Sequence, residues 1–187
     1  MPWIGISKIH LTTPGCCKET LKKCDCIIAL SDSWKEWFEK TIHHKNVVAI
    51  KNVIAPPHVK KIKHDDFVLL FLGRLGKRKG ICDLMDVLTE HKAEFDGKVR
   101  FLFGGDGDVE QVKKIIRRNG LENIAGFQGW VNGEKKERLL NTADAYILPS
   151  YNEGLPISIL EAMSYSLPII STAVGGIPEI LKNGENG

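Results

Sequence analysis

Two carboxylates raise a chemical question. In "SYNEGLPISILEAMS" (150–164), Glu153 and Glu161 stand with seven residues between them. Glu153 falls in a turn broken by Gly154 and Pro156, and proline's fixed φ suits the first position of the helix that follows. Ile157 and Ser158, at the start of that helix, leave backbone N–H groups without helical acceptors. Such groups suit an anion or a hydroxyl. Glu161 lies more than a turn inside the helix, and a carboxylate there can accept two hydrogen bonds from a vicinal diol such as a ribose. The plainer reading makes Glu153 a solvated loop acid and Glu161 a charge on a helix surface. Ile157, Ile159, Leu160 and Met163 weigh against it, because an acid among apolar neighbours is costly without a partner.

Cations and glycines offer further candidates. "GRLGKRKG" (73–80) puts Arg74, Lys77, Arg78 and Lys79 between an apolar run and a helix. Cations beside the free N–H groups of a helix start make a diphosphate site, each charge-assisted hydrogen bond contributing about 1.5–3 kcal/mol. A solvated basic turn has the same composition. "GGDGD" (104–108) has three readings: part of a dinucleotide fingerprint that lacks its last glycine, a D-x-D metal-diphosphate motif at Asp106 and Asp108, or a tight turn with Asp108 as N-cap. The turn accounts for these residue types without a ligand. Cys16, Cys17, Cys24 and Cys26 cluster, but the pairs are adjacent or one apart, whereas zinc ligands are spaced C-x2-4-C. Cys24 and Cys26 share one face of an expected strand and Cys82 stands alone. Reduced structural thiols are the expectation, with no metal site.

The elements that must hold these residues alternate. "FVLLFLG" (67–73) is a continuous apolar run, as in a parallel strand covered on both faces. Ile81, Leu84, Met85 and Leu88 recur at helical spacing. "VRFLFGG" (99–105) is the next strand, and Val109, Val112 and Ile116 mark the next helix. Strands at 124–129, 145–149 and 168–172 follow, with helices at 133–143 (capped by Asn132), 156–166 and 177–182. This is a doubly wound α/β domain with a parallel sheet, whose ligands sit at the carboxyl ends of the strands. Residues 1–66 differ. "CDCIIALS" (24–31) and "NVVAI" (46–50) read as strands, and "SWKE" (33–36) as a capping box opening a helix with Trp34, Trp37 and Phe38. "APPHVKKIKHDD" (55–66) reads as a linker. One helix and two strands cannot bury a core alone, and "NGENG" ends in a turn. The chain is therefore expected to be a piece of a larger protein, divided as 1–58, a 59–66 linker and 67–187.

Bulk properties bound the function. The 187 residues are 43% hydrophobic and 26% charged, with a formal charge of +3, an ordinary globular composition. That charge is too small to argue for nucleic acid, though it allows a local anion site. No secretory signal pattern opens the chain, and no apolar run reaches membrane-span length. A cytoplasmic location is expected.

Taken in order, "GRLGKRKG", "FLFGGDG", "FQGWV", "ADAYILPSYNEGLPISILEAMSYSLPIISTAVGGIPEIL" and "NGENG" resemble the C-terminal domain of GT-B retaining glycosyltransferases of the family 4, or group 1, type. The resemblance runs from about residue 67 to the end, and residues 24–54 are similar to the end of that family's N-terminal domain. It implies a Rossmann-like domain that holds a UDP- or GDP-sugar as donor, with no metal or other cofactor, and transfer to a hydroxyl with retention. Carried over by position, Arg74 and Lys79, beside Gly73, grip the diphosphate. Glu153 contacts the donor sugar and Glu161 the ribose. Backbone groups of Gly154, Leu155, Ile157 and Ser158 serve sugar and phosphate, while Gly129, Trp130 and Val131 line the base pocket. The implied catalytic set is Glu153, Arg74 and Lys79. A glycan or lipid-linked acceptor and a possible place at the inner membrane face follow from the family, in polysaccharide or glycolipid synthesis. Two departures stand out: Ser166 occupies a position where the family usually has glycine, and most of the N-terminal, acceptor-side domain is expected to lie in another segment or chain. None of His10, His43, His44, His58 or His64 matches the family's active-site histidine. A non-catalytic nucleotide-sugar-binding module and a sugar-nucleotide 2-epimerase are the alternatives. A phosphorylase lacks a signature for its pyridoxal lysine, and a dehydrogenase lacks the full glycine fingerprint.

Overall fold

The computed structural model describes residues 14–187. His10 and the N-terminal stretch read for a signal lie outside the described residues, as do the side chains of Cys16 and Cys17. The chain forms two compact units, Met1–Lys51 and Asn52–Gly187.

The described part of the first unit is a βαβ arrangement. Helix α1 (Pro14–Lys22), not anticipated from the sequence, precedes β1 (Ile27–Ala29), α2 (Asp32–Trp37) and β2 (Val47–Ala49), and β1 pairs in parallel with β2. Leu21, Ile27, Ala29, Ile42 and Val47 form its core, with Trp34, Trp37 and Phe38 packed against it. The expected capping box is displaced. Ser31, not Ser33, is the N-cap: its backbone is extended and its hydroxyl accepts from the Trp34 N–H at 3.2 Å. Ser33 is already inside the helix, so it cannot cap. Strand β1 is shorter than expected, which leaves Cys24 and Cys26 outside it. Among the described residues no group of three or more His, Cys, Asp or Glu could hold a metal ion.

The second unit is the expected α/β domain. Strands β3 (Phe67–Leu72), β4 (Val99–Gly104), β5 (Ala125–Gly129), β6 (Ala145–Leu148) and β7 (Ile169–Ser171) form one parallel sheet in the order β5-β4-β3-β6-β7. Helices α3 (Ile81–Glu90), α4 (Lys92–Phe95), α5 (Val109–Arg118), α6 (Gly133–Thr142) and α7 (Ile157–Ser164) lie between them. Val68 to Leu72 are all buried, as a strand covered on both faces requires. Ile81, Leu84, Met85 and Leu88 are the buried face of α3, at the spacing read from the sequence. No helix of the described residues is long and apolar enough to cross a membrane.

Three local expectations change. The helix expected at 177–182 is only a 3-10 turn, Ile177–Glu179; the Asn186 side chain accepts from the Lys182 N–H at 2.7 Å and donates to the Ile180 carbonyl at 3.0 Å, engaging groups that a continued helix would use, and the segment runs into the 183–186 turn. Asn132 and Asp108 occupy the N-cap positions of α6 and α5, but neither side chain makes a capping bond. Helix α7 starts after Pro156, which is its N-cap, and ends at Ser164.

Residues 51–64 carry no helix or strand, yet part of this stretch is strapped to the second unit. The Lys60 N–H donates to Asn141 Oδ1 at 2.7 Å and the Ile62 N–H to the Asn141 carbonyl at 3.0 Å. The Asn52 amide donates to the Leu155 carbonyl at 2.7 Å.

Ser166 takes a left-handed conformation, φ 57°, which gives the departure noted above a physical meaning. A side chain costs about 1–2 kcal/mol there, and glycine avoids that cost while losing some chain entropy. Ser166 is exposed, so Ser166→Gly is expected to stabilise the domain by about 0.5–1 kcal/mol. Urea denaturation should show a higher midpoint at unchanged slope; an unchanged or lower midpoint contradicts this account.

Candidate functional site

Because every strand of the second sheet is parallel, all their carboxyl ends share one edge. The chain moves outward from β3 through β4 to β5 and then returns to place β6 on the other side of β3. The gap between β3 and β6 is therefore the switch point where α/β sheets take ligands. Two loops meet there, 73–80 after β3 and 149–156 after β6. They touch backbone to backbone: Gly80 sits at φ 71°, and a Cβ on it would come within 2.0 Å of the Pro149 carbonyl oxygen. The Tyr151 N–H donates to the Arg78 carbonyl at 2.9 Å, and Arg78 Nη1 donates to the Asn152 carbonyl at 2.7 Å.

Between these loops lies Glu153, which is 5% exposed. Its Oε1 accepts from Lys79 Nζ and from the Ser150 hydroxyl, each at 2.6 Å, and Arg78 Nη1 stands 3.7 Å from Oε2. A solvated loop acid it is not. The 172–176 loop closes over its backbone. The Gly176 N–H donates to the Gly154 carbonyl at 2.7 Å, and a Cβ on Gly175 would lie 1.8 Å from the Glu153 carbonyl oxygen. Below, the buried Tyr146 hydroxyl donates to the Leu72 carbonyl at 2.9 Å, tying the end of β3 to β6. Burial pushes the Tyr146 phenol far above its ordinary range, while a hydrogen bond with the Ser158 hydroxyl acts in the opposite sense.

The N–H groups of Ile157 and Ser158 have no acceptor among the described residues, as expected for the first turn of α7. Leu155 faces inward and is buried, so only its backbone is at the edge, and its carbonyl is taken by Asn52. Glu161 does have the partner its apolar neighbours demanded: Lys136 of α6 contacts its Oε1 at 2.5 Å. Lys136 was not among the residues singled out from the sequence. No spacing could have found it, since it lies on another helix; the one signal was the cost of an unpartnered acid.

Arg74 is separate from the Glu153 cluster. It stands 3.6 Å from Asp106, with both side chains exposed. The 73–76 and 104–108 loops are bonded to each other through Gly73 N–H to Gly104 (2.9 Å), Leu75 N–H to Asp106 (2.7 Å) and Asp108 N–H to Leu75 (2.7 Å). "GGDGD" thus serves a turn, as the third reading had it. Trp130 exposes 65% of its surface, and Val131 packs on Gly104, where a Cβ would lie 2.6 Å from Val131 Cγ2.

A model of the family "Glycosyl transferases group 1" matches residues 56–187. The chain belongs to this family. An uncharacterized glycosyltransferase of Methanocaldococcus jannaschii, MJ1069, is 30% identical to it over 182 residues, 91% of this chain and 46% of that protein. The lipopolysaccharide 1,6-galactosyltransferase of Salmonella typhimurium is 32% identical over 147 residues, 76% of this chain and 39% of the relative. Among solved structures, the apo lipopolysaccharide outer core galactosyltransferase WaaB matches with a TM-score of 0.70 at 29% identity, covering 88% of this chain and 48% of WaaB. TarM of S. aureus, solved with UDP, shares the fold with a TM-score of 0.80 at 21% identity over 91% of this chain and 34% of TarM. This group 1 chain spans between a third and a half of the length of such curated relatives.

Breaking a buried ion pair by removing one partner typically costs about 3–5 kcal/mol, whereas replacing both with apolar groups costs far less. The Lys79 and Glu153 side chains are 12% and 6% accessible. Lys79→Met is therefore expected to lose about 3 kcal/mol of unfolding free energy, and the Lys79→Met/Glu153→Met double variant to recover much of it. Guanidinium denaturation measures both. Additive losses would mean that the two side chains do not act as a pair.

Proposed function

We propose that residues 52–187 form the donor-binding domain of a retaining glycosyltransferase of the family 4 type, which takes a UDP- or GDP-sugar and delivers the glycosyl group to a hydroxyl acceptor. The observation that carries this reading is the meeting of Lys79 and Glu153 at the β3/β6 switch point. A cation and a carboxylate stand there together, beside the open N–H groups of α7. In this reading Lys79 and Arg74 bind the diphosphate, Glu153 orients the sugar, Glu161 takes the ribose hydroxyls, and Trp130 and Val131 border the base. Two relatives are named for lipopolysaccharide and colanic acid synthesis, which supports a glycan acceptor; a lipid-linked acceptor at the cytoplasmic face of a membrane is part of the proposal.

The chemistry follows from charge. As the glycosidic bond to the diphosphate breaks, negative charge grows on the leaving oxygen. Groups already aimed at it stabilise the transition state more than the ground state. Lys79 is positioned to do this because Glu153 fixes its ammonium, while the exposed Arg74 is free to turn from Asp106 toward a diphosphate. The chain's own cations carry this role, so no metal is required.

Calorimetry with UDP, GDP and ADP tests the reading. One of the three is expected to bind, unaffected by EDTA, and Lys79→Ala and Glu161→Ala should each weaken it about tenfold or more, the worth of one charge-assisted contact. Absence of binding by all three, or dependence on added Mg²⁺, would overturn it.

A further inference from the structure

Each acid of the pair has a lysine from a different element, Lys79 from the loop after β3 and Lys136 from α6. The first pairing is explained by burial, since neither charge could be left alone there. The second is only partly so explained. The Lys136 and Glu161 side chains remain 33% and 20% accessible, so the lysine answers the cost of an acid among apolar neighbours yet leaves the carboxylate within reach of a ligand. A contact that holds one oxygen of a still-reachable carboxylate has a second role.

Placement supplies it. Lys136 sits in the first turn of α6 (Gly133–Thr142), the helix that begins two residues after Val131. It therefore links the segment that follows Trp130 and Val131 directly to Glu161 on α7. A glutamate side chain has three rotatable bonds, so a lone Glu161 would sample several rotamers. Lys136, held on Oε1, selects one. A carboxylate has about four acceptor positions on its two oxygens; Lys136 uses one, and enough remain for both hydroxyls of a cis-diol.

We propose that Lys136 is a positioning residue for nucleotide recognition, fixing the Glu161 carboxylate so that its remaining lone pairs meet the ribose diol. The inference rests on the donor-binding reading above, and it makes discrimination of the ribose a property of the α6–α7 contact rather than of Glu161 alone. Lys136 touches neither the sugar nor the phosphates in this account; it acts through Glu161.

The test compares a nucleoside diphosphate, whichever of UDP, GDP and ADP binds best, with its 2′,3′-dideoxy counterpart, by calorimetry on the full chain. The unsubstituted protein is expected to prefer the ribonucleotide. Lys136→Met should weaken the ribonucleotide about tenfold, one hydrogen-bonding contact's worth, and leave the dideoxy ligand within about threefold, so that the preference collapses. Lys136→Arg, which keeps the charge and donor, should restore it. Equal weakening of both ligands, or an unchanged preference, would overturn the role of Lys136 while leaving donor binding standing. No binding of any ribonucleotide to the unsubstituted chain would overturn both. A thermal melt of each variant separates loss of fold from loss of discrimination.

Discussion

The buried contact between Lys79 and Glu153 is the constraint around which the second unit is arranged. An almost fully buried carboxylate is tolerable only with a cation and hydrogen-bond donors in reach, and here they come from loops 74 residues apart in sequence. To bring them together, β3 and β6 must be neighbours, their following loops must close to backbone contact, and Gly80 and Gly175 must leave out the Cβ atoms that would hold the loops apart. Tyr146 completes the arrangement from below by bonding the end of β3 to β6. The sheet order, the loop glycines and the buried phenol thus serve one ion pair.

The same pairing changes how an anion would be bound. Lys79 already contacts a carboxylate, and Arg74 already stands beside Asp106. A diphosphate arriving at this edge would exchange partners with groups that are satisfied, so its affinity would be a difference between two sets of contacts. Lys79, held in this way, would lose little further freedom on binding, which is the advantage of a preorganised site. Glu153 both neutralises Lys79 and fixes it in place.

Much of this could be read in the chain. The apolar run 67–72 and the spacing of Ile81, Leu84, Met85 and Leu88 are periodic signals long enough to survive any tertiary context, and the five strands fell where the pattern put them to within a residue or so. Glu161 signalled its own need of a partner through its apolar neighbours. What could not be read was pairing across elements. Nothing in linear spacing assigns Lys136 to Glu161, or tells that Arg78 and Lys79 face Glu153 while Arg74 turns to Asp106. Helix ends were the other weak point. Ser31 and Ser33 are equivalent in composition, and only the extended backbone of Ser31 makes it the cap; the Asn186 side chain, bonded to Lys182 and Ile180, engages backbone groups of a segment whose apolar residues suggested a full helix.

The bond from Asn52 to Leu155 carries a mechanical implication. Asn52 is the first residue of the second unit, and its amide ends on a carbonyl two residues past Glu153 and just before Pro156. The place where the chain joins this domain is therefore fastened to the rim of the carboxylate loop. Tension arriving along the backbone from residues before 52 is delivered first to that rim, at the threshold of α7, before it can reach the sheet.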